Sequence, residues 1–514
     1  MFNCVGVEPD VTDWGRVMTK LYRILLGSVA GLALAGAAQA AELPTKKTPP
    51  APAATNCYAS FWDWLNSSAA DCPLSYMGFT LYGQLDVGGG YETHATPFNK
   101  DFNNGVAELI SKSSGGGKWQ WVPNGLSQTN VGIKMKEQVV PNWYIVGDVN
   151  FGFDPYSFEL ANGPQSLVDN IGRVTPAAVT SGKLAYTANS DSSRAGQWDN
   201  TRGYFGVSNA TYGTLTFGRQ YALSNDLVNN YDPMGGSYAF SLIGTSATPV
   251  QGLGDSDLAR YNTSFKYQVT YNMFRAGALW GVGDYGTGDA SNGAYQFDVG
   301  FDYAGFSVDA IYSYAKDAVF LAANSTSDPL KATIADVDSA AIAGKYKNGP
   351  WQAFAGYAHD HFASATDSYA ENAAANGFDS IAGIYVAGNN APGSNANSYT
   401  AYNGKILQAT WAGVKYSLLS NLDLSAAYYY EWQNNFSSSY SATNCAANAA
   451  PLVGAKNSYC AGHLEAVSGL VDWRPWKRVD VYGGVMYSEG AGGFVSGYSH
   501  ANNTALTTGV RISF

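Results

Sequence analysis

Tyr295-Gln296-Phe297-Asp298-Val299-Gly300-Phe301-Asp302-Tyr303-Ala304-Gly305-Phe306-Ser307-Val308-Asp309-Ala310-Ile311-Tyr312-Ser313-Tyr314 is the stretch whose reading decides the fold. Its first run sets Tyr295, Phe297, Val299, Phe301 and Tyr303 against Gln296, Asp298, Gly300 and Asp302. Its second sets Phe306, Val308, Ala310, Tyr312 and Tyr314 against Ser307, Asp309 and Ser313. A period of two gives an extended strand one apolar and one polar face. Only Ala304-Gly305 separates the runs, so together they read as a tight antiparallel hairpin.

Outward from this hairpin the alternation recurs. In Gly78 to Glu92, Phe79, Leu81, Leu85, Val87 and Tyr91 alternate with Thr80, Gln84, Asp86, Gly88 and Glu92. About sixteen such segments are expected, near 78–92, 128–139, 142–154, 200–210, 213–221, 259–269, 273–284, 294–304, 305–316, 336–347, 350–360, 402–417, 421–433, 463–473, 477–488 and 503–514. An even number is what a closed bacterial barrel requires. Connections are short at Pro141, Tyr212, Asn272, Gly305, Gly349, Ser420 and Pro475 and long elsewhere. Short periplasmic turns and long extracellular loops produce that rhythm. The expected fold class is therefore all-β, a transmembrane antiparallel barrel. In the last segment Leu506, Thr508, Val510, Ile512 and Phe514 share one face, and Thr507, Gly509, Arg511 and Ser513 the other.

Composition and targeting agree. The chain has 58 Gly, 36 Tyr and 14% aromatic residues, with only 13% charged, whereas soluble proteins average about 25% charged. Membrane barrels need outward aromatics and turn glycines around a polar interior. Lys20 and Arg23 precede the apolar run Ile24 to Ala38, which ends in Ala38-Gln39-Ala40. That is a secretory signal peptide, with cleavage expected before Ala41. Met18 is the expected initiator, because Met1 to Val17 carries acids and Trp14 ahead of the positive region. The net charge of −11 disfavours nucleic acid as a partner.

Three parts are expected: 1–40 as upstream extension and signal peptide, 41–77 as spacer and stapled segment, and 78–514 as the barrel. Leu43-Pro44 to Thr55 is rich in Pro, Ala and Lys, the composition of an extended spacer. Cys57 and Cys72 enclose Phe61-Trp62-Asp63-Trp64-Leu65, read as one short helix. Leaving aside Cys4, which precedes the signal peptide, four cysteines allow three pairings, and local pairing, Cys57 with Cys72 and Cys445 with Cys460, closes short loops without crossing the barrel. Neither pair has Cys-x-x-Cys metal spacing. His359-Asp360-His361 puts two imidazoles on one face without an evident third ligand, so no metal or cofactor is expected. No G-x-S-x-G, Walker loop or H-E-x-x-H appears, and no enzymatic activity is expected.

From Phe79-Thr80-Leu81-Tyr82-Gly83 onward the chain resembles the Gram-negative general porins of beta- and alpha-proteobacterial type. The similarity is carried by Asn130-Val131-Gly132-Ile133-Lys134, by Asn200-Thr201-Arg202 with Phe205-Gly206-Val207, and by Gly213-Thr214-Leu215-Thr216-Phe217-Gly218-Arg219-Gln220. It is carried too by Phe514 closing an amphipathic strand. The resemblance implies a bacterial outer-membrane homotrimer among lipid and lipopolysaccharide. It implies that Phe514 is the signal read by the barrel assembly machinery. It also implies that the third loop, here Tyr221 to Ala259, folds inward so that its acids, Asp226, Asp232, Asp255 and Asp257, face basic residues on the wall.

Alternation tests which bases fit that part. Tyr261, Phe265 and Tyr267 on the lipid face would leave Arg260 and Lys266 inside, and the same parity puts Arg202 and Arg275 inside. Lys134 and Lys136 compensate for Asn130, which stands where the family often has an arginine. Arg219 shares strict parity with Leu215 and Phe217, where an arginine costs ~2–4 kcal/mol at mid-bilayer. A bulge at Gly218 that turns it inward is the favoured reading. The function implied is passive diffusion of small hydrophilic solutes, with mild cation preference from the acidic excess. The alternative is a channel selective for sugars or anions.

Overall fold

The computed structural model describes residues 57–94, 117–153, 155–156, 158, 199–245, 260–282, 292–315, 320–321, 331–333, 335–364, 370–371, 380–381, 384–385, 405–435, 460–493 and 500–514. The signal peptide, the Pro-rich spacer, Asp255, Asp257 and Cys445 lie outside them.

Sixteen antiparallel positions close into a ring. They are β1 (Phe79–Glu92), β2 (Lys118–Pro123 and Asn130–Val140), β3 (Trp143–Gly152), β4 (Asp199–Asn209), β5 (Gly213–Tyr221), β6 (Arg260–Tyr271), β7 (Phe274–Val282) and β8 (Asn292–Tyr303). There follow β9 (Phe306–Ala315), β10 (Ala335–Asn348), β11 (Trp351–Ser364), β12 (Lys405–Leu419), β13 (Leu422–Gln433), β14 (Gly462–Trp476), β15 (Val479–Gly492) and β16 (Asn502–Ser513). Each pairs with its sequence neighbour, and β1 pairs with β16 from Gln84↔Ser513 to Glu92↔Ala505. Closure removes the unpaired edges that lipid cannot satisfy. No helix among the described residues is long and apolar enough to cross a membrane.

The β8–β9 hairpin forms in the expected register, Tyr303↔Phe306 to Tyr295↔Tyr314. Ala304 and Gly305 take φ 49° and 86°, the two positive values a two-residue turn between twisted strands needs. All seven short connections are present. The one expected at Pro475 is displaced to Lys477-Arg478, because β14 runs on to Trp476 through a register shift after Trp473.

The apolar parity faces outward, with Val299, Phe205, Val467 and Val485 all exposed. Aromatic pairs form two belts. Phe306–Tyr346, Trp351–Tyr416 and Trp143–Tyr212 lie at the short-turn end, and Tyr91–Trp119, Tyr295–Tyr314 and Tyr430–Trp432 at the long-loop end. Amphipathic rings of this kind mark the two membrane–water interfaces.

β2 departs from the expected single strand at 128–139. Its first piece, Lys118–Pro123, pairs with the upper half of β1, and its second resumes at Asn130 opposite Gln84. Pro123 has no N–H to continue the ladder, and Asn124 turns the chain with φ 59°. Residues 124–129 therefore leave the wall.

Before β1, the helix α1 (Phe61–Asn66) is capped by the Ser60 hydroxyl, and the Cys57–Cys72 disulfide spans Cα atoms 6.3 Å apart. Leu74–Tyr76 then pairs with Leu81–Phe79. It fills the lane beside β1 below the point where Phe514 and Gly83 exchange backbone hydrogen bonds of 2.9 and 3.0 Å.

Candidate functional site: the lumen constriction

After β5 the chain turns into the barrel. The helix α2 (Leu223–Tyr231), the turn that follows and the helix α3 (Leu242–Thr245) carry Leu223, Leu227, Val228, Tyr231, Met234, Phe240, Leu242 and Ile243, all buried. Polar side chains on inward-facing strand positions hold this arm. Gln296 of β8 accepts from Leu223 N at 2.6 Å and donates to Ser224 Oγ at 3.1 Å. Trp411 of β12 donates from Nε1 to Tyr231 O at 3.0 Å. Tyr429 of β13 donates to Asp232 Oδ1 at 2.5 Å. Phe240 then meets the Tyr482 ring of β15 edge-on. The inward third loop thus lines the β7–β15 side of the interior.

Across the lumen lies a basic and aromatic cluster. Arg202 donates from Nη2 to Tyr82 Oη at 2.7 Å, sits 3.4 Å from Asp148 and lies over the Tyr221 ring at 4.9 Å. Arg260 covers the same ring at 5.5 Å and reaches Gln128 Oε1 at 3.3 Å. Lys134 stands 5.4 Å from the centre of Tyr82. These three expected bases are brought together, and the tyrosine faces spread their charge through cation–π contact.

The remaining site residues fare differently. Lys266 bridges wall and loop, 2.6 Å from Asp226 Oδ2. Arg275 is held by Asp302 and Asp309 and donates to Tyr231 Oη at 3.0 Å. It stands behind α2, tying the loop to the wall. Asp232 is 2% exposed and accepts from Tyr429 and, at 2.6 Å, from Gly236 N. It too is an anchor, and burial raises its pKa.

The lipid-face placement of Tyr261 is corrected. It is fully buried opposite Gln220, because β6 carries one extra residue between its pairings with Gly218 and Gln220. Thr263, at φ 43°, marks the bulge. The bulge expected at Gly218 of β5 lies instead on the facing β6. β5 itself keeps register with β4 through Gly203↔Arg219.

A comparison of the sequence with known families matches residues 27–379 to the family described as Gram-negative porin. The chain belongs to that family. None of the curated proteins compared with it matches. Among solved structures it is similar to the anion-selective porin from Comamonas acidovorans, at 12% identity and a TM-score of 0.51, over 85% of this chain and 99% of that one. It is similar also to the outer membrane channel DcaP of Acinetobacter baumannii, at 16% identity, TM-score 0.47, 86% of this chain and 99% of that one. Salmonella typhi OmpF in complex with daunomycin follows, at 14% identity, TM-score 0.46, 85% and 97%. This porin is therefore a β-barrel channel of the bacterial outer membrane, with its short turns in the periplasm.

The porin's lumen also uses residues that the basic-ladder reading passed over. Tyr82, Asp86, Tyr221, Trp411, Tyr429 and Tyr482 organise the interior. Tyr82 and Asp86 share the polar parity of β1, so alternation already placed them inside.

At the periplasmic rim, Arg478, 2% exposed, donates to Trp64 O at 2.9 Å, Ser68 O at 3.2 Å and Cys72 O at 2.7 Å. It also covers the Trp64 ring at 4.5 Å. Cys460 is disulfide-bonded, and its partner lies outside the described residues. Among the described residues no three His, Cys, Asp or Glu side chains gather as a metal site. His361 instead stands 3.7 Å from Asp338 on the outer wall.

Proposed function

We propose that this porin is a water-filled channel for passive diffusion of small hydrophilic solutes and ions, with mild cation preference and no catalytic step. The observation that carries the reading is the opposition of a pinned inward loop on one side of the lumen to Lys134, Arg202 and Arg260 on the other. Opposed polar rows around a narrow passage select by width and by field. Cation preference is supported by the chain's acidic excess and by carboxylates that neutralise bases locally, as Asp226 does Lys266 and Asp148 does Arg202.

A homotrimer embedded in lipid and lipopolysaccharide, assembled by machinery that reads Phe514, fits the family. Residues 1–40 fit a signal peptide and extension, 41–77 a spacer and stapled periplasmic segment, and 78–514 the barrel. The same basic cluster favours the alternative, a channel selective for anionic solutes.

The purified protein in a planar bilayer under a KCl gradient tests both. Ohmic single-channel steps with a reversal potential of cationic sign support the proposal. Anionic sign, or saturable block by a carboxylate or sugar, supports the alternative. Release of fatty acid from phospholipid would contradict the absence of catalysis.

A further inference from the structure

The break in β2 is built, and it sits beside the inward loop. Two β1 residues, Leu85 and Asp86, stand opposite the six residues Asn124–Thr129. The Asp86 side chain, fully buried on the inward parity, holds this excursion from within. Its Oδ2 accepts from Leu126 N at 2.8 Å and Ser127 N at 2.9 Å, and its Oδ1 accepts from Tyr482 Oη at 2.6 Å. Thr129 N donates to Asn124 Oδ1 at 2.7 Å and ties the two ends of the excursion together. Its sides are fixed too, by Arg511 on Ser127 Oγ at 3.1 Å and by Arg260 on Gln128 Oε1 at 3.3 Å. A buried carboxylate with three donors is a strong and geometrically specific tether.

The excursion reaches the loop midway along it, at Ala239. Ala239 N donates to Gly125 O at 2.9 Å. Beside that bond, Tyr482, the third donor to Asp86, packs its ring against Phe240 at 6.2 Å. A Cβ on Gly125 would lie 2.3 Å from the Tyr482 hydroxyl, so a side chain there would part the two. The helix α2 is pinned by β8, β9 and β12 and Asp232 by β13, while Ala239 is held by an element that is not a strand.

We propose that the inward excursion Asn124–Thr129 is a second fixed element of the constriction. It clasps the third loop at Ala239, with Asp86 as its positioning residue and buried Gln128, held by Arg260, fixing its flank. This deepens the channel reading above and rests on it. Held at Ala239 as well as at α2, the loop presents one passage; held at α2 alone, it samples several. Passage width and charge placement then fluctuate, and both set ion selectivity.

The experiment is single-channel recording of wild type, Asp86→Ala and Tyr482→Phe in a planar bilayer under a KCl gradient. Each is first checked for heat-modifiable migration as a folded barrel. Asp86→Ala is expected to show about twofold larger unit conductance, excess open-channel noise and a shifted reversal potential. Tyr482→Phe, which keeps the ring against Phe240 and removes one donor, is expected to show the noise with little change in mean conductance. It carries the test if Asp86→Ala does not fold. Folded variants with wild-type conductance, noise and reversal potential overturn the clasp while leaving the channel reading intact. A wild-type protein that conducts nothing overturns both.

Discussion

The outer and inner faces of this barrel are written by the same alternation, yet they hold the molecule by different physics. Outside, the contribution of each residue depends on its own transfer to lipid, and neighbours interact mainly as paired rings, such as Phe217–Phe265 and Phe306–Tyr346. Inside, scarcely any side chain acts alone. Arg275 joins two carboxylates, a tyrosine and a serine, and Asp86 joins two amides and a phenol. The outer face should therefore respond to single substitutions by polarity. The inner face should respond by which partner is lost.

The sharpest way to break that comparison is Val485→Arg. Val485 sits mid-strand on β15 and faces lipid, so an arginine there is expected to cost about 2–4 kcal/mol. The check is the urea midpoint of the barrel folded into vesicles, with the m-value unchanged. A shift no larger than that of a rim substitution would place this face away from the hydrocarbon.

The next effect is expected at the periplasmic rim, where an exterior segment is held as the interior is. Arg478→Ala removes a donor shared by the carbonyls of Trp64, Ser68 and Cys72. Trp64 O keeps Ser67 and Ser68 O keeps Cys72 N, so the loss falls mainly on Cys72 O, at a cost of about 2 kcal/mol. The segment 57–76, which has aromatic residues and no Lys or Arg, should then be cut by chymotrypsin while the barrel stays resistant. Reducing the Cys57–Cys72 bond should act in the same direction, since a cross-link closing a loop of this length is worth roughly 3 kcal/mol. Equal protease resistance in wild type and variant would mean that the disulfide alone orders the segment.

Within the lumen, Asp226→Asn is expected to change selectivity more than stability. Its partner Lys266 is buried while Asp226 is about one-third exposed, and a partly screened pair contributes at most about 1 kcal/mol. Without the carboxylate, the Lys266 charge faces the passage uncompensated, so the reversal potential should move toward anions. Lys266→Met should move it the other way. If both variants shift it in one direction, the pair does not border the ion path.

The alternation left the barrel plain to read because a closed ring in lipid forces parity on nearly every strand residue. The Ala304-Gly305 turn and the last strand from Leu506 to Phe514 follow from that constraint alone. Inside, parity says only that a side chain points inward, and this is where legibility ended. Arg275 has the same local signature as Arg202, yet the loop comes to rest on one and opposite the other. Asp232 reads as a free acid because nothing local records that the inward loop carries it onto Tyr429 of the wall. Tyr261 is turned inward by a single bulge residue at Thr263, which local alternation does not record. The broken β2 carried a local warning, Pro123 followed by Asn124 and Gly125, which marks a turn more readily than a continuing strand.

The smallest expected effect concerns Asp232 and separates the charge of an interior anchor from its shape. Burial raises its pKa, so protonation favours the folded state. The stabilising contribution is present in full below the ordinary aspartate value of about 3.9 and is lost as pH rises through the raised value. Above the raised value the ionised group is a cost that the bonds from Tyr429 and Gly236 offset. Asp232→Asn removes that charge and keeps an acceptor for the Tyr429 hydroxyl, but sets its amide against Gly236 N. The variant should lie within about 1 kcal/mol of wild type at neutral pH. As pH falls toward 4, wild type should gain stability relative to the variant. Thermal unfolding of both proteins by circular dichroism across that interval reads the difference, and a gap that does not change with pH would mean that Asp232 holds the loop by hydrogen-bond geometry alone.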